Sequence, residues 1–558
     1  MNTVAGIGWV VLCLAAGVVQ AWTLHWPGPD AAQPMGLVQP LAMAVLCVAV
    51  SCAAHGRQAV FRAWAFASAW LLAVFGWLVV SMNTYGGLPW LGAALATVAL
   101  AAFLGIYTAA AAWLWWRWAQ PLARPWRALG LWAALWTLAE MLRGHWFTGF
   151  PWGAVGYAHG DTLGPWAPWV GVYGVTAVAA AVAAALANAA VRAVHGRYGA
   201  ALRWGLGTMA SLGLIIAMAP SAQHIALRHT TDSGALKVRL LQGNIGQDEK
   251  FNAHTGVQTA LTWYPQQISR AWAEPNPVQL VIAPETAFPL LPQQIEGEVW
   301  QSVLQSVAES AVVPSLSSTK GGALMLGLPL GGFDVGYTNS VWGMAAPQAE
   351  EALQAAAVSS PQEAVQATPF YRYDKHHLVP FGEFIPPLFR WFTDLMNIPL
   401  GDFNRGALVQ APWPWGGQRI AAHICYEDLF GEELAAQFAQ PQPPTVLVNV
   451  SNIAWFGDTV AIDQHLQIAR WRAMELGRPV LRATNTGATA VIDHTGVVQA
   501  LLPRLTRDVL DAEVRGRDGA TPYAHWVSRW GLWPLWGLMI AVVALCASPA
   551  RRGMGRRP

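Results

Sequence analysis

Charge is what this sequence has least of. Asp, Glu, Lys and Arg make up 11% of its 558 residues, against roughly 25% in a soluble globular domain. Hydrophobic residues supply 54%, so much of the chain is suited to lipid rather than water. The formal net charge is only +2, and no Lys/Arg run in the central region is long enough to follow a phosphate backbone, which sets nucleic acid aside as a partner. Lysine is rarer still, with only Lys237, Lys250, Lys320 and Lys375. Of the five cysteines, Cys13, Cys47, Cys52 and Cys546 fall in strongly apolar stretches, leaving Cys425 as the single thiol of the polar region. One cysteine forms no intradomain disulfide, and no CxxC pair exists for zinc. Cys425 is therefore either a small buried hydrophobe or a reactive nucleophile.

What is present is a series of long apolar runs. Crossing the hydrocarbon takes about 20 apolar residues in a helix. Eight stretches qualify as candidates: Val4 to Leu24, Met35 to Ala54, Ala63 to Met82, Leu91 to Trp113, Leu129 to Leu142, Trp169 to Val191, Leu206 to Ile225 and Trp530 to Ala547. The first lacks the basic flank of a signal peptide and reads as a retained helix. Arginines cluster in alternate loops, at Arg57 and Arg62, at Arg117, Arg124 and Arg127, at Arg192, Arg197 and Arg203, and in the tail at Arg551, Arg552, Arg556 and Arg557. Positively charged loops stay in the cytoplasm. This predicts an N-terminus inside and a large polar insert outside, which in a two-membrane bacterium is the periplasm.

The expected organisation is an N-terminal membrane domain over 1–227 with about seven helices, a polar domain over 228–526, and a last membrane helix with a basic cytoplasmic tail over 527–558. The polar insert is long enough for one domain with its own core. Short β-branched runs at Lys237 to Leu241, Gln279 to Ala283, Ala323 to Leu328, Arg419 to Ile424, Thr445 to Val450 and Ala488 to Ile492 read as strands buried on both faces. Helical periodicity marks Gln258 to Ala273, Glu298 to Val312, Leu429 to Phe438 and Asp463 to Leu476. Their alternation predicts an α/β layered domain. The Ala- and Gln-rich stretch Ala345 to Ala367 reads as a surface insertion.

Three motifs place a reactive side chain at the end of an apolar strand: Ala283-Pro284-Glu285-Thr286, the run from Tyr373 through Lys375 to Glu383, and His423-Ile424-Cys425-Tyr426-Glu427. Strand ends are where α/β sheets form their crevices. If the three meet, Glu285 can take the thiol proton as sulfur attacks a carbonyl, while Lys375 lowers the thiol pKa and steadies the oxyanion. Residue types alone leave a Cys–His pairing open, through His423, His376 or His377.

These motifs, together with Leu241-Gln242-Gly243-Asn244, the stretch Asn449 to Asp458, Ala473 to Pro479 and Thr148-Gly149-Phe150-Pro151-Trp152, resemble the nitrilase superfamily and, within it, the apolipoprotein N-acyltransferase family. The resemblance spans most of the chain. It implies a multi-pass α-helical membrane bundle carrying an α-β-β-α sandwich, with a triad of Glu285, Lys375 and Cys425. Glu383, Tyr426 and Glu427 are implied as supporting residues. The sequence departs from the family pattern at Gly246, at Phe251, where an aromatic is kept but an indole donor lost, and at Ile453, where Asp is usual.

The resemblance further implies a phospholipid acyl donor, a thioester on Cys425, and a diacylglyceryl apolipoprotein whose α-amine accepts the acyl group, in ping-pong order and with no metal or cofactor. The segment Phe384 to Leu400 is dense in aromatic and aliphatic residues. It suits either an arm at the lipid interface or an internal helix packed on the sandwich, with Trp391, Phe392 and Phe251 as substrate-binding candidates. Two alternatives stay open: a membrane-tethered amidase that delivers the acyl group to water, and a non-catalytic membrane scaffold.

Overall fold

The computed structural model describes residues 3–25, 33–119, 122–273, 276–313, 316, 321–332, 334–386 and 403–547. The expected arm residues Trp391 and Phe392 lie outside them. The chain divides into two compact units, one of 1–79, 89–226 and 530–558, the other of 80–88 and 227–529.

The first unit is helical: α1 (Thr3–Trp22), α2 (Gln39–Ser51), α3 (Gly56–Phe75), α4 (Trp90–Trp118), α5 (Pro125–Arg143), α6 (Ala167–Val194) and α7 (Tyr198–Leu227). Each of the first seven apolar runs of the sequence falls on one of them. Among the described residues α3, α4, α6 and α7 are long and apolar enough to cross a membrane, whereas the described parts of α1 and α2 are shorter. At 29 residues, α4 is about 44 Å long, more than the hydrocarbon needs. Lipid offers no hydrophobic drive between helices, so close approach of small residues does the packing. Gly105 of α4 shows this: a Cβ there would sit 3.2 Å from Ser68 Oγ and 3.4 Å from Ala67 Cβ of α3. A carboxylate in such surroundings needs partners. Glu140 of α5 accepts hydrogen bonds from Trp136 Nε1 at 2.9 Å, Val155 N at 3.1 Å and Thr176 Oγ1 at 3.1 Å.

The second unit is built on two six-stranded sheets. The first runs β12-β1-β2-β3-β4-β5, with β1 (Thr230–Gln242), β2 (Leu280–Ile282), β3 (Ala323–Gly332), β4 (Gly336–Ala345), β5 (Tyr371–Asp374) and β12 (Asp508–Gly519). The second runs β11-β10-β9-β8-β7-β6, with β6 (Trp413–Trp415), β7 (Gln418–Ile424), β8 (Val446–Ser451), β9 (Val480–Thr484), β10 (Ala490–Ile492) and β11 (Val498–Leu501). The central neighbours β1-β2-β3 and β7-β8-β9 are parallel, which explains their unbroken apolar runs.

Alternation along the strands sorts the core. Leu236, Val238 and Leu240 meet Ile420, Ala422, Val446 and Val448 between the sheets. Leu324, Leu326 and Leu328 face outward under α8 (Gln258–Ala273) and α9 (Gly297–Glu309). The stretch read as a surface insertion is instead two helices, α10 (Ala346–Ala356) and α11 (Pro361–Ala367). Their buried Ala349, Ala352 and Val365 complete that outer layer; a stripe of alanines makes little periodic signal, yet it is small enough to pack closely. On the other side α12 (Gly431–Ala436) and α13 (Ala461–Leu476) cover the second sheet. The unit is thus the expected α-β-β-α sandwich. Finally α14 (Pro522–Trp530) and α15 (Trp533–Cys546) are bent by 90° at a short break, and together would make one further apolar span.

Candidate active site

Strand ends of both sheets supply the site. Cys425 is the first residue after β7, at φ 51°, where the chain turns abruptly into the short 3-10 helix Cys425–Leu429. A non-glycine residue in the left-handed region is costly and persists where its surroundings hold it. Lys375 follows β5 directly, and Glu285 stands three residues beyond β2. Gly327 on β3 lets the Glu285 turn lie close, since a Cβ there would meet Glu285 Cα at 2.8 Å.

Asn339 of β4 holds two carboxylates around one ammonium. Its Nδ2 donates at 2.7 Å to Glu285 Oε1 and at 2.7 Å to Glu383 Oε1. Lys375 Nζ donates to Glu383 Oε1 at 2.8 Å and lies 3.6 Å from Glu285 Oε1. The other Glu285 oxygen accepts from Asn452 N at 2.7 Å, and the other Glu383 oxygen from Val379 N at 2.8 Å. Burial alone would strip Lys375 of its proton, but Glu383, Glu285 and Cys425 together hold it above the ordinary lysine value. Glu383 is therefore a direct partner of the ammonium.

Burial and the Glu285 charge outweigh Lys375 and the Ser451 hydroxyl, and push the Cys425 thiol up to about 12. The sequence reading expected the ammonium to lower it. Lys375 does pull in that direction, yet the balance leaves the thiol above its ordinary value and protonated at neutral pH. Of the three groups, Glu285 and Lys375 are buried and Cys425 is half-buried, so the sulfur is the most accessible of them.

Glu427 ties the Lys375 loop to the Cys425 turn. Its carboxylate accepts from Ile424 N at 2.6 Å, His376 N at 2.7 Å, His377 N at 3.1 Å and Tyr373 Oη at 2.9 Å. Burial raises its pKa. Tyr426 packs on Phe430 and His377, with ring centroids at 5.3 and 5.7 Å. The histidine rings that could have competed are engaged elsewhere: His423 Nε2 with Asp428 Oδ1 at 2.7 Å, His376 Nδ1 with Gly406 O at 2.8 Å, and His377 Nδ1 with Glu433 Oε1 at 3.0 Å.

Sequence reasoning did not single out Lys250. It is 3% exposed, its Nζ donates to the Glu285 carbonyl at 3.2 Å, and burial lowers its pKa to about 8 against the opposing pull of Glu285 and Cys425. Lysine scarcity was the available signal. Its neighbour Phe251 is 40% exposed. Ile453, at the position where the family has Asp, is fully buried, so no polar group acts there. Among the described residues no three His, Cys, Asp or Glu side chains gather as metal ligands.

A thiol at a strand-end turn, beside a Glu-paired ammonium in a double-sheet sandwich, defines a carbon-nitrogen hydrolase. The profile of that name matches residues 237–523, and the apolipoprotein N-acyltransferase N-terminal domain matches 21–185. An apolipoprotein N-acyltransferase of Verminephrobacter eiseniae is 46% identical over 538 residues, covering 93% of this chain and 92% of its own. One of Ralstonia nicotianae is 42% identical, covering 92% and 89%. A solved carbon-nitrogen hydrolase superfamily protein of Xanthomonas campestris covers 55% of this chain and 97% of its own, at 17% identity and TM-score 0.34. The chain belongs to the apolipoprotein N-acyltransferase family, and it is an acyltransferase of the carbon-nitrogen hydrolase superfamily.

Proposed function

We propose that the chain moves a fatty acyl group from a phospholipid, through a thioester on Cys425, to the α-amine of a diacylglyceryl-cysteine at the N-terminus of a lipoprotein. In the first half, Glu285 takes the Sγ proton as sulfur attacks the ester carbonyl, and Lys375 steadies the oxygen that becomes negative. As the intermediate collapses, Glu285 returns that proton to the departing lysophospholipid alkoxide. In the second half, the amine attacks the thioester, Glu285 takes its proton, and the proton passes to the leaving sulfur. A thioester lies above an amide in energy, so transfer runs downhill. Glu383 and Asn339 act by keeping Lys375 charged and Glu285 in place.

The observation that carries this reading is the shared Asn339 clamp, which sets base and ammonium side by side. Water competes with the amine, so the thioester has to be kept dry until the amine arrives. Apolar helices on the same chain suit two substrates that both reside in a bilayer. The arginine pattern of the loops supports a place in the bacterial inner membrane with the catalytic domain on the periplasmic side. Intact-mass analysis after exposure to phospholipid alone should reveal one acyl adduct, lost in Cys425→Ser. Adding a diacylglyceryl lipopeptide should then yield amide. Free fatty acid in its place would identify a hydrolase.

A further inference from the structure

Behind the nucleophile lies a buried charged network that the chemistry above does not use. Parallel register sets His423 of β7 beside Asn449 of β8, and Asn449 beside Arg482 of β9, in one polar row across the second sheet. Asp428, from the 3-10 turn after Cys425, and His465, from α13, close over that row. All five residues are at most 1% exposed.

The bonds converge on one atom. Arg482 Nη1 donates to Asp428 Oδ2 at 3.0 Å and to Asn449 Oδ1 at 3.3 Å, and Arg482 Nη2 donates to His465 Nδ1 at 2.7 Å. With Nδ1 accepting, the proton of the neutral imidazole sits on Nε2, which donates to the Cys425 carbonyl at 3.1 Å and lies 3.5 Å from Asp428 Oδ2. Asn449 Nδ2 reaches the same oxygen at 3.5 Å. Burial and the Arg482 charge hold His465 down at about 3, so the ring stays neutral. His423 donates to the remaining Asp428 oxygen at 2.7 Å.

Well-packed apolar side chains would fill this space at equal or better stability, because two buried charges lose hydration that their attraction barely returns. What the network supplies instead is direction. The carbonyl it grips belongs to the residue held at φ 51°, so holding it fixes the C-terminal side of the Cα from which Sγ projects. We propose that His465, its tautomer set by Arg482 and Asp428, is a positioning residue that pins the Cys425 carbonyl and so holds the nucleophile in its left-handed conformation. This rests on Cys425 being the nucleophile.

The test uses the full chain in detergent with His465→Phe, which keeps a ring but no donor, and His465→Gln, whose amide can both donate to Cys425 and accept from Arg482. Arg482→Lys, which cannot serve Asp428 and His465 together, decides the matter if the Phe variant does not fold. Four quantities are read: kcat and KM for transfer from a defined phospholipid to a diacylglyceryl lipopeptide, the iodoacetamide alkylation rate of Cys425 per folded molecule, and the melting temperature. Expected is a fall in kcat of roughly 100-fold for Phe, an altered alkylation rate, an unchanged KM, and recovery of most of the rate by Gln; Arg482→Lys should likewise lower kcat without moving KM. Wild-type kcat and alkylation in folded His465→Phe, equal impairment of Phe and Gln, or an unaffected Arg482→Lys would each overturn the proposal. Wild-type protein that forms no Cys425 acyl adduct would instead overturn the nucleophile assignment.

Discussion

Glu285→Gln should move two properties of Cys425 in opposite directions. In the wild type the Glu285 charge is, after burial, the largest influence raising the thiol pKa. Removing that charge while keeping the side chain's size makes the sulfur easier to ionise. Each unit by which the pKa falls gives about tenfold more thiolate at a fixed pH below it. Alkylation by iodoacetamide at pH 8 to 9 should therefore accelerate. Acyl transfer should collapse, because the amide cannot take the thiol proton, and general-base catalysis is worth roughly 10²- to 10⁴-fold. Structural damage is bounded. Among the described residues the Glu285 carboxylate accepts hydrogen bonds from Asn339 and from Asn452 N; Gln retains one acceptor, and an unpaired buried donor costs about 1–3 kcal/mol. Lys375 keeps Glu383 at 2.8 Å. The assay pairs alkylation followed by mass spectrometry with phospholipid-to-lipopeptide transfer on one preparation. If alkylation slows together with transfer while the melting temperature holds, Glu285 does not act on Cys425 as a charge and the assignment of the base fails.

Other perturbations probe different parts of the site. Glu427→Gln must set an amide NH2 against Ile424 N–H or the His376 and His377 N–H groups, losing a charge-assisted bond worth about 1.5–3 kcal/mol; a lowered melting temperature and reduced kcat are expected, and wild-type values for both would show that the two loops are held otherwise. Gly327→Ala presses on the Glu285 turn and should cost roughly 100-fold in kcat with KM little changed, read in the same transfer assay. Lys250 loses its charge as pH rises through about 8, so wild-type transfer should fall across that range, and Lys250→Met should be slower below pH 8 and lack the limb. Replacing Trp391 and Phe392 with Ser should impair use of bilayer phospholipid more than of a short-chain soluble ester; equal activity on bilayers would count against an arm.

How far the sequence could be read follows from what each segment buries. Strands β1, β3, β7 and β8 lie in parallel or central positions with both faces covered, and their β-branched runs showed it. The strand β12 carries Asp508, Asp511, Glu513, Arg515 and Arg517. It pairs only with β1, at a sheet edge, where charge is tolerated and hydropathy is silent. Gly336–Ala345 escaped for another reason. Thr338, Asn339 and Ser340 look like a turn, yet they are buried on β4, and Asn339 is there to bridge Glu285 and Glu383. The three candidate groups were legible because Glu, Lys and Cys are conspicuous after apolar strands. Their holders were not, because an Asn amide, a backbone N–H or the Glu285 carbonyl under Lys250 has no signature until the chain is folded.

That division explains why a Glu-Lys-Cys set cannot be judged from its three members. With burial dominating, this thiol is raised rather than lowered in the resting state, and what the fold supplies around it is orientation. Asn339 fixes Glu285 against Lys375, Glu427 fixes the Lys375 loop against the Cys425 turn, and His465 grips the Cys425 carbonyl from behind. A neutral thiol beside a lipid ester is inert until the carbonyl arrives, and proton transfer then coincides with attack. A sulfur silent until a carbonyl is seated limits stray alkylation and oxidation, both of which need thiolate. The charged network behind the strand ends and the protonated thiol in front of them are thus two parts of one arrangement: reactivity is withheld by burial and released by geometry.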